Sequence, residues 1–485
     1  MRDDANQRQK NNFIAGEWVK SGRYEENLNP SRPADVIGLF ALADADQARA
    51  ALDAARAALP AWSATGPVQR NEILRRVAAA LSARAEELGA LLSREEGKTR
   101  AEGIGEVRRA AQCWDYFAAE ALRAPGEFLP GLRPGFNVAV TREPVGVVSV
   151  VTPFNFPIAL PSWKIAAALV YGNTVVFKPS ELTPASAWAL VEAAVEAGVP
   201  PGVLNLVSGH GREIGDALID GADAITFTGS GPVGETILAR AARDMKKVQL
   251  ELGGKNPLVV TADADLATAV DIALDGSFYA SGQRCTASSR LIVERRIHDA
   301  FVEALAAKVS ALRVGDALAA DTQIGPVVSA AQRQRVLNYI GIGRSEGAEV
   351  AAGGAALETE SGGYFVAPTL FVNTTNAMRI NREEIFGPVA AVIAVDDLDE
   401  AIAVANDTTF GLSSGICTTN IRSAERFRRA SRAGLVSINA PTAGIDFHAP
   451  FGGRHRSGMG GSEQGSAAID FYTERKTTYI NHGVL

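Results

Sequence analysis

Cys285, within FYASGQRCTASSR, is the side chain best suited to nucleophilic chemistry. A thiolate is a strong nucleophile near neutral pH, and a cation beside it, here Arg284, would lower the thiol's pKa. Glu251 stands upstream in the apolar run LELGGKNPLVV, where desolvation raises a carboxyl's pKa toward that of a working base. Together they suit a two-stage reaction, in which the thiol attacks a carbonyl and the carboxylate then activates water against the resulting thioester. By type alone a single cysteine is a small buried hydrophobe, so its surroundings must decide.

Other polar groups stand just beyond strand-like runs. Asn155, in VVTPFNFPI, could stabilise charge on an attacked carbonyl oxygen through its side-chain amide, or simply make a turn. Gly229, Gly231 and Gly234 in FTGSGPVGE have GxGxxG spacing, and Glu251 follows about 20 residues on, where a dinucleotide fingerprint carries its ribose-binding acid. Glu251 therefore has two readings, base or ribose ligand. Lys178 and Glu181 lie in VFKPSE, and Glu383, Glu384 and Phe386 lie in EEIFGPV, where a solvated helix cap is the plainer reading.

Positioning such groups requires strands that end near one another. From VGVVSVV onward, β-branched runs alternate with helical periods through NTVVFKP, VLNLVSG, AITFTGS and KVQLELGG, which predicts a doubly wound α/β sheet with ligands at the carboxyl ends of its strands. A second α/β set follows and carries Cys285. Before the sheet, FIAGEWVKSG reads as an edge hairpin. A helix capped by Asp44 is expected to end at Pro60, and a long helix from Pro67 carries Ile73, Val77, Leu81, Leu88 and Leu92 on one face. The segment around Cys113 is helical in period beyond Gly105, and Cys113 itself reads as packing. Residues between Gly126 and Pro144 read as a protruding strand pair, and AAIDFYTERKTTYI as an edge strand that needs a partner.

With 485 residues, two or three subdomains are expected. A net charge of −7 argues against nucleic-acid or anionic-membrane surfaces and for a small-molecule partner. Three scattered cysteines fit a reducing, cytoplasmic setting, and the five histidines lack metal-ligand spacing, so no metal is expected. The polar start MRDDANQRQKNN has no apolar segment of a signal, and no long apolar run occurs.

ELGGKNP around Glu251 and GQRCTA around Cys285, with TPFNFP, VFKPSE, FTGS and EEIFGPV in order, resemble the aldehyde dehydrogenase superfamily over nearly the whole chain. The resemblance implies a Rossmann-type cofactor domain (1–124 and 145–252), an α/β catalytic domain (253–448), and a β oligomerisation arm (125–144 and 465–485) that makes a homo-dimer or homo-tetramer, with the tail strand joining a neighbour's sheet. It implies Cys285 as nucleophile, Glu251 as base and Asn155 as half of an oxyanion hole. The cofactor, NAD with NADP possible, would meet Thr152, Pro153, Phe154, Lys178, Glu181, Gly229, Ser230, Leu252, Glu384 and Phe386. Glu181 disfavours a 2′-phosphate by repulsion. Arg284 and Phe156 would meet the substrate, Arg284 offering forked donors to a carboxylate or else an ion pair that positions the cysteine loop. The wording PTAGIDFHAPFGGR looks most like the α-ketoglutaric semialdehyde dehydrogenases of bacterial sugar-acid catabolism. Two departures are Phe154, where the family usually has tryptophan, and His455 and Arg456 in HRSGMGG.

Overall fold

Strands rich in β-branched residues on both faces need cover on both faces, and two such sheets organise the chain. The computed structural model describes residues 9–123 and 126–483; the expected polar start before residue 9, and the short stretches 124–125 and 484–485, lie outside it. In the first sheet, of eight strands, five run parallel in the spatial order Lys247–Glu251, Ala224–Thr228, Val147–Val151, Thr174–Lys178, Leu204–Leu206. The strand earliest in sequence is in the middle. The chain winds away from it first to one side and then to the other, which opens a crevice between the carboxyl ends of Val147–Val151 and Ala224–Thr228.

The predicted hairpin, Asn12–Ile14 with Glu17–Val19, pairs at one edge of this sheet, turning through Ala15 and Gly16 at φ of 55° and 93°. The opposite edge is closed from far along the chain, by Gly458–Met459 antiparallel to Leu250 and Glu251.

The second sheet has seven strands, six parallel, with Asn256–Val260 and Ser288–Glu294 at its centre. The chain leaves the first sheet at Glu251 and enters the second at Asn256. So short a link forces the carboxyl edge of one sheet to face the amino edge of the other. The Cys285 loop lies just before Ser288–Glu294, at that amino edge.

Three helices depart from expectation in detail. The first, Ala45–Ser63, is capped by Asp44 as expected but runs through Pro60, because Trp62 is buried and its Nε1 donates to Leu169 O at 3.2 Å, tying down the last turn. The long helix is broken at Arg84 into Pro67–Ala83 and Ala85–Glu96, although its expected inward stripe, Ile73 to Leu92, is buried throughout. The next, Arg100–Glu120, starts ahead of Gly105, fixed by a capping box in which Thr99 and Glu102 bond reciprocally. Cys113 is buried on it, and burial pushes its thiol up to about 12.

Glu127–Pro130 and Phe136–Pro144 pair antiparallel, as the expected protruding strands. The tail strand Thr473–Asn481, expected to join a neighbour's sheet, pairs along its length with Phe136–Pro144 of its own chain, since the antiparallel register from Thr473↔Pro144 to Asn481↔Phe136 satisfies one of its edges. Its other edge has no partner among the described residues.

Candidate active site

The loop ahead of Cys285 is held in an uncommon backbone shape. Ala280, Ser281 and Gly282 are consecutive left-handed residues, with φ of 51°, 52° and 64°. A side chain at Gly282 would collide with Gly387 O, so glycine is required there. The cost of the two non-glycine residues is offset by anchors: Ala280 N donates to Glu102 Oε1 at 2.8 Å, and Ser281 Oγ donates to Gly325 O at 2.8 Å. Behind Cys285, Asn256 Nδ2 donates to both Cys285 O and Ala287 O, at 2.8 and 2.9 Å, binding the loop to the second sheet.

Asn155 approaches from the first sheet. Its Nδ2 donates to Gln283 O at 2.9 Å, which takes one of its two amide hydrogens and leaves the other for a ligand. The loop carrying it is locked from below. Lys98 Nζ, fully buried, donates to Asn155 O at 2.6 Å and to Glu106 Oε2 at 2.7 Å, while Glu106 Oε1 accepts from Ile158 N and Ala159 N at 2.9 and 3.0 Å. Lys98 also stands 4.0 Å from the Phe156 ring centroid. Burial drives Glu96, 3.9 Å from the ammonium, up to about 8, and the closer carboxylate, Glu106 at 2.7 Å, is the main partner of Lys98.

Glu251 and Cys285 line the same cavity, of about 480 Å³, together with Phe156, Thr228 and Arg284. Glu251 is buried and its Oε2 has no hydrogen-bond partner. Burial raises its pKa well above the usual carboxyl value; the charge of Glu463 adds to this, and Lys164 opposes it. Those two form a buried ion pair that also takes in Trp163 Nε1, 2.5 Å from Glu463 Oε2, and Thr226 Oγ1, 2.8 Å from Lys164 Nζ. Cys285 differs from expectation. Its thiol is pushed up, first by burial and then by Glu251 and Glu384, and only backbone N–H groups of Cys285 and Thr286 oppose this. Arg284 does not depress it, because its guanidinium faces Glu102 at 3.6 Å and Asp275 at 3.4 Å.

A second cavity, of about 180 Å³, adjoins the first through Cys285, Glu251, Thr228, Leu160 and Leu252, and is lined by Asn155, Pro153, Phe154, Gly229, Ser230, Glu384 and Phe386. It opens at the crevice of the first sheet. Thr152, one residue before this lining, is buried with an unpartnered hydroxyl, as is Thr228. Ser230 caps the helix Gly231–Ala241 without a side-chain bond, so that helix presents free backbone N–H groups, a ready anion site. Gly234 serves packing: a Cβ there would fall 2.7 Å from Leu252. The Phe154 and Phe386 rings meet edge to face, with centroids 5.7 Å apart. Glu383 and Glu384 separate clearly. Glu383 is bound by Arg379 and Tyr339 at the surface, whereas Glu384 is half-buried, lines the crevice and accepts from Gly254 N at 3.1 Å. Glycine is needed at 253 because any Cβ would strike the Glu384 carboxylate.

Lys178 and Glu181 stand 3.5 Å apart at the end of the neighbouring strand, and Glu181 Oε1 accepts from Gly211 N at 3.1 Å. Beside them His210 Nδ1 lies 3.8 Å from Glu181. A dinucleotide fits this set of groups: an anion site at a helix start, orphaned hydroxyls, a carboxylate facing the crevice, and a lysine–glutamate pair one strand away. His455 and Arg456 lie elsewhere. They line a separate polar cavity beside Lys255, and Arg456 pairs with Glu235. Sequence reading missed Lys98, Glu106, Lys164, Thr228 and Glu463. Glu102, Gly105, Glu106 and Arg109 recur at i, i+3, i+4 and i+7, a spacing that could have shown them to share one helical face.

The model of the aldehyde dehydrogenase family matches residues 18–478. An α-ketoglutarate semialdehyde dehydrogenase of Haloferax volcanii is 44% identical over 478 residues, covering 97% of this chain and 99% of that one. An α-ketoglutaric semialdehyde dehydrogenase of Bacillus subtilis is 43% identical over 475 residues, covering 97% of each. Among solved structures, a betaine aldehyde dehydrogenase from Staphylococcus aureus in complex with NAD+ superposes with a TM-score of 0.96 at 34% identity, covering 99% of this chain and 97% of that one.

Proposed function

Since the chain belongs to the aldehyde dehydrogenase family, we propose that it oxidises a short carboxylated aldehyde, α-ketoglutaric semialdehyde first, to its acid with NAD. The observation that carries the chemistry is that Cys285 and Glu251 border both the larger cavity and the adjoining crevice of the first sheet, with Asn155 on the crevice side. Bound there, the nicotinamide supplies a hydride acceptor.

The chain's own groups do the rest. The Cys285 sulfur, as the thiolate, bonds to the aldehyde carbon. The second N–H of Asn155 and the Cys285 backbone N–H meet the oxygen as it becomes an anion, inside a water-poor pocket where such bonds count most. A thioester to Cys285 remains, and Glu251 activates water to release the acid. Glu384 and Phe386 orient the nicotinamide ribose, while Lys178 and Glu181 reach the adenosine ribose. An acylating dehydrogenase that hands its thioester to coenzyme A would have no use for a base placed beside the thiol, which favours hydrolysis.

For the substrate, relatives of two kinds match at comparable extent, one acting on a carboxylated aldehyde and one on a quaternary ammonium. Phe156, Trp163 and Phe451 could face a cation. In the same lining Lys98 and Arg284 are matched by carboxylates, and Arg109, which is not, favours an anion. Steady-state rates with α-ketoglutaric semialdehyde and with betaine aldehyde, both with NAD and without coenzyme A, test the reading, and a preference for betaine aldehyde overturns the substrate. In the same assay Cys285→Ala is expected to be inactive, and Glu251→Gln to give one burst equivalent of NADH followed by slow turnover. Normal turnover of Glu251→Gln would remove it as the base.

A further inference from the structure

The ionisable side chains of the Cys285 cavity are almost all matched to one another. Lys98 is held by Glu106 at 2.7 Å. Arg284 faces two carboxylates, Glu102 and Asp275. Glu251 is kept toward its neutral form by burial. One cation is left over. Arg109 lines the cavity, half-buried, and has no carboxylate partner or hydrogen bond among the described residues; its guanidinium lies 5.7 Å from the centroid of the Phe447 ring.

Its place on the helix Arg100–Glu120 fits a ligand longer than a simple aldehyde. Glu102, which anchors the cysteine loop through Ala280 N, is in the first turn. Arg109 lies two turns further on the same face, about 10 Å along the axis, so the wall of the cavity carries a cation set apart from the residue that anchors the cysteine loop. The aromatic ring limits where that cation can swing without neutralising it. An arginine half out of water offers forked donors whose match to a carboxylate is geometric as well as electrostatic.

We propose that Arg109 receives the distal carboxylate of the substrate, with Phe447 holding its guanidinium in place, on the reading above that the substrate is a carboxylated aldehyde. Arg284, already engaged by Glu102 and Asp275, then holds the cysteine loop. The two arginines of the cavity thus differ in role, one positioning the nucleophile and the other selecting the substrate.

The test is the ratio of kcat/KM for α-ketoglutaric semialdehyde to that for pentanal, measured with NAD for the wild type, Arg109→Gln, Arg109→Lys and Arg284→Met. Arg109→Gln is expected to lower the ratio at least about tenfold, the scale of one lost charge-assisted hydrogen-bond pair, mainly through KM for the semialdehyde. Arg109→Lys should restore part of it. Arg284→Met should lower kcat on both aldehydes and leave the ratio near the wild-type value. A wild type that does not prefer the carboxylated aldehyde overturns the substrate reading and this inference with it. A wild type that does prefer it, with an unchanged ratio in Arg109→Gln, overturns the inference alone. A ratio lost in Arg284→Met and kept in Arg109→Gln assigns the carboxylate to Arg284.

Discussion

Replacing Lys98 with methionine separates what the buried pair does for stability from what it does for rate. At 2.7 Å and an effective dielectric of about 20, Lys98 and Glu106 attract one another with about 6 kcal/mol gross. Much of that offsets the cost of removing both ions from water, so the pair's net contribution is small, yet removal of one partner strands the other. Lys98→Met leaves the Glu106 carboxylate with only the Ile158 and Ala159 N–H groups, and the expected loss is about 3–5 kcal/mol. A fall in Tm of roughly 5–10 °C would report it. Glu106→Gln alone should also destabilise, since it leaves the ammonium unpaired. The double variant Lys98→Met/Glu106→Gln removes both charges and should regain most of the lost stability. Its kcat should stay low with KM for aldehyde little changed, because Asn155 O has still lost its 2.6 Å donor and the amide that meets the oxyanion is no longer fixed. The reasoning fails if Lys98→Met costs under about 1 kcal/mol, or if the double variant regains rate along with stability.

Three further outcomes are expected. Cys285 and Glu251 both have raised pKa values and both act deprotonated, so kcat should climb with pH through and above neutrality; where deacylation limits the rate, Glu463→Gln removes the second cause raising Glu251, so the acid limb of kcat should move to lower pH, and a shift upward would refute the assignment. Glu181→Ala should raise the NADP-to-NAD ratio of kcat/KM by removing a charge that repels a 2′-phosphate, whereas an unchanged ratio would place the adenosine ribose elsewhere. The chain is expected to be a dimer or tetramer by light scattering, and deleting the exposed tail strand from Thr473 onward should lower that state; a full-length monomer at micromolar concentration would count against the arm.

Much of the site was legible because its chemistry sits at strand ends, where short local wording carries the meaning. ELGGKNP and GQRCTA singled out Glu251 and Cys285, which line one cavity, and β-branched runs located the first sheet. What stayed hidden was contact between distant segments. Nothing local to Lys98 says that its ammonium meets Asn155 O, and the acid that tunes Glu251 lies far downstream at Glu463. Arg284 misled for the same reason: its neighbour in sequence is Cys285, but its neighbours in space are Glu102 and Asp275. Pro60 misled because the buried Trp62, not the proline, decides where that helix stops.

Gly458–Met459 closes the sheet edge beside Glu251, and Glu463 lies in the same late stretch of chain. During synthesis that stretch emerges about two hundred residues after Glu251. A chain halted or clipped before Gly458 would already hold Cys285 and Glu251, but without Glu463 and the closing strand the carboxyl would be wetter and less basic. Possession of both groups is thus not enough: the environment of the carboxyl is completed by a segment remote from it in sequence.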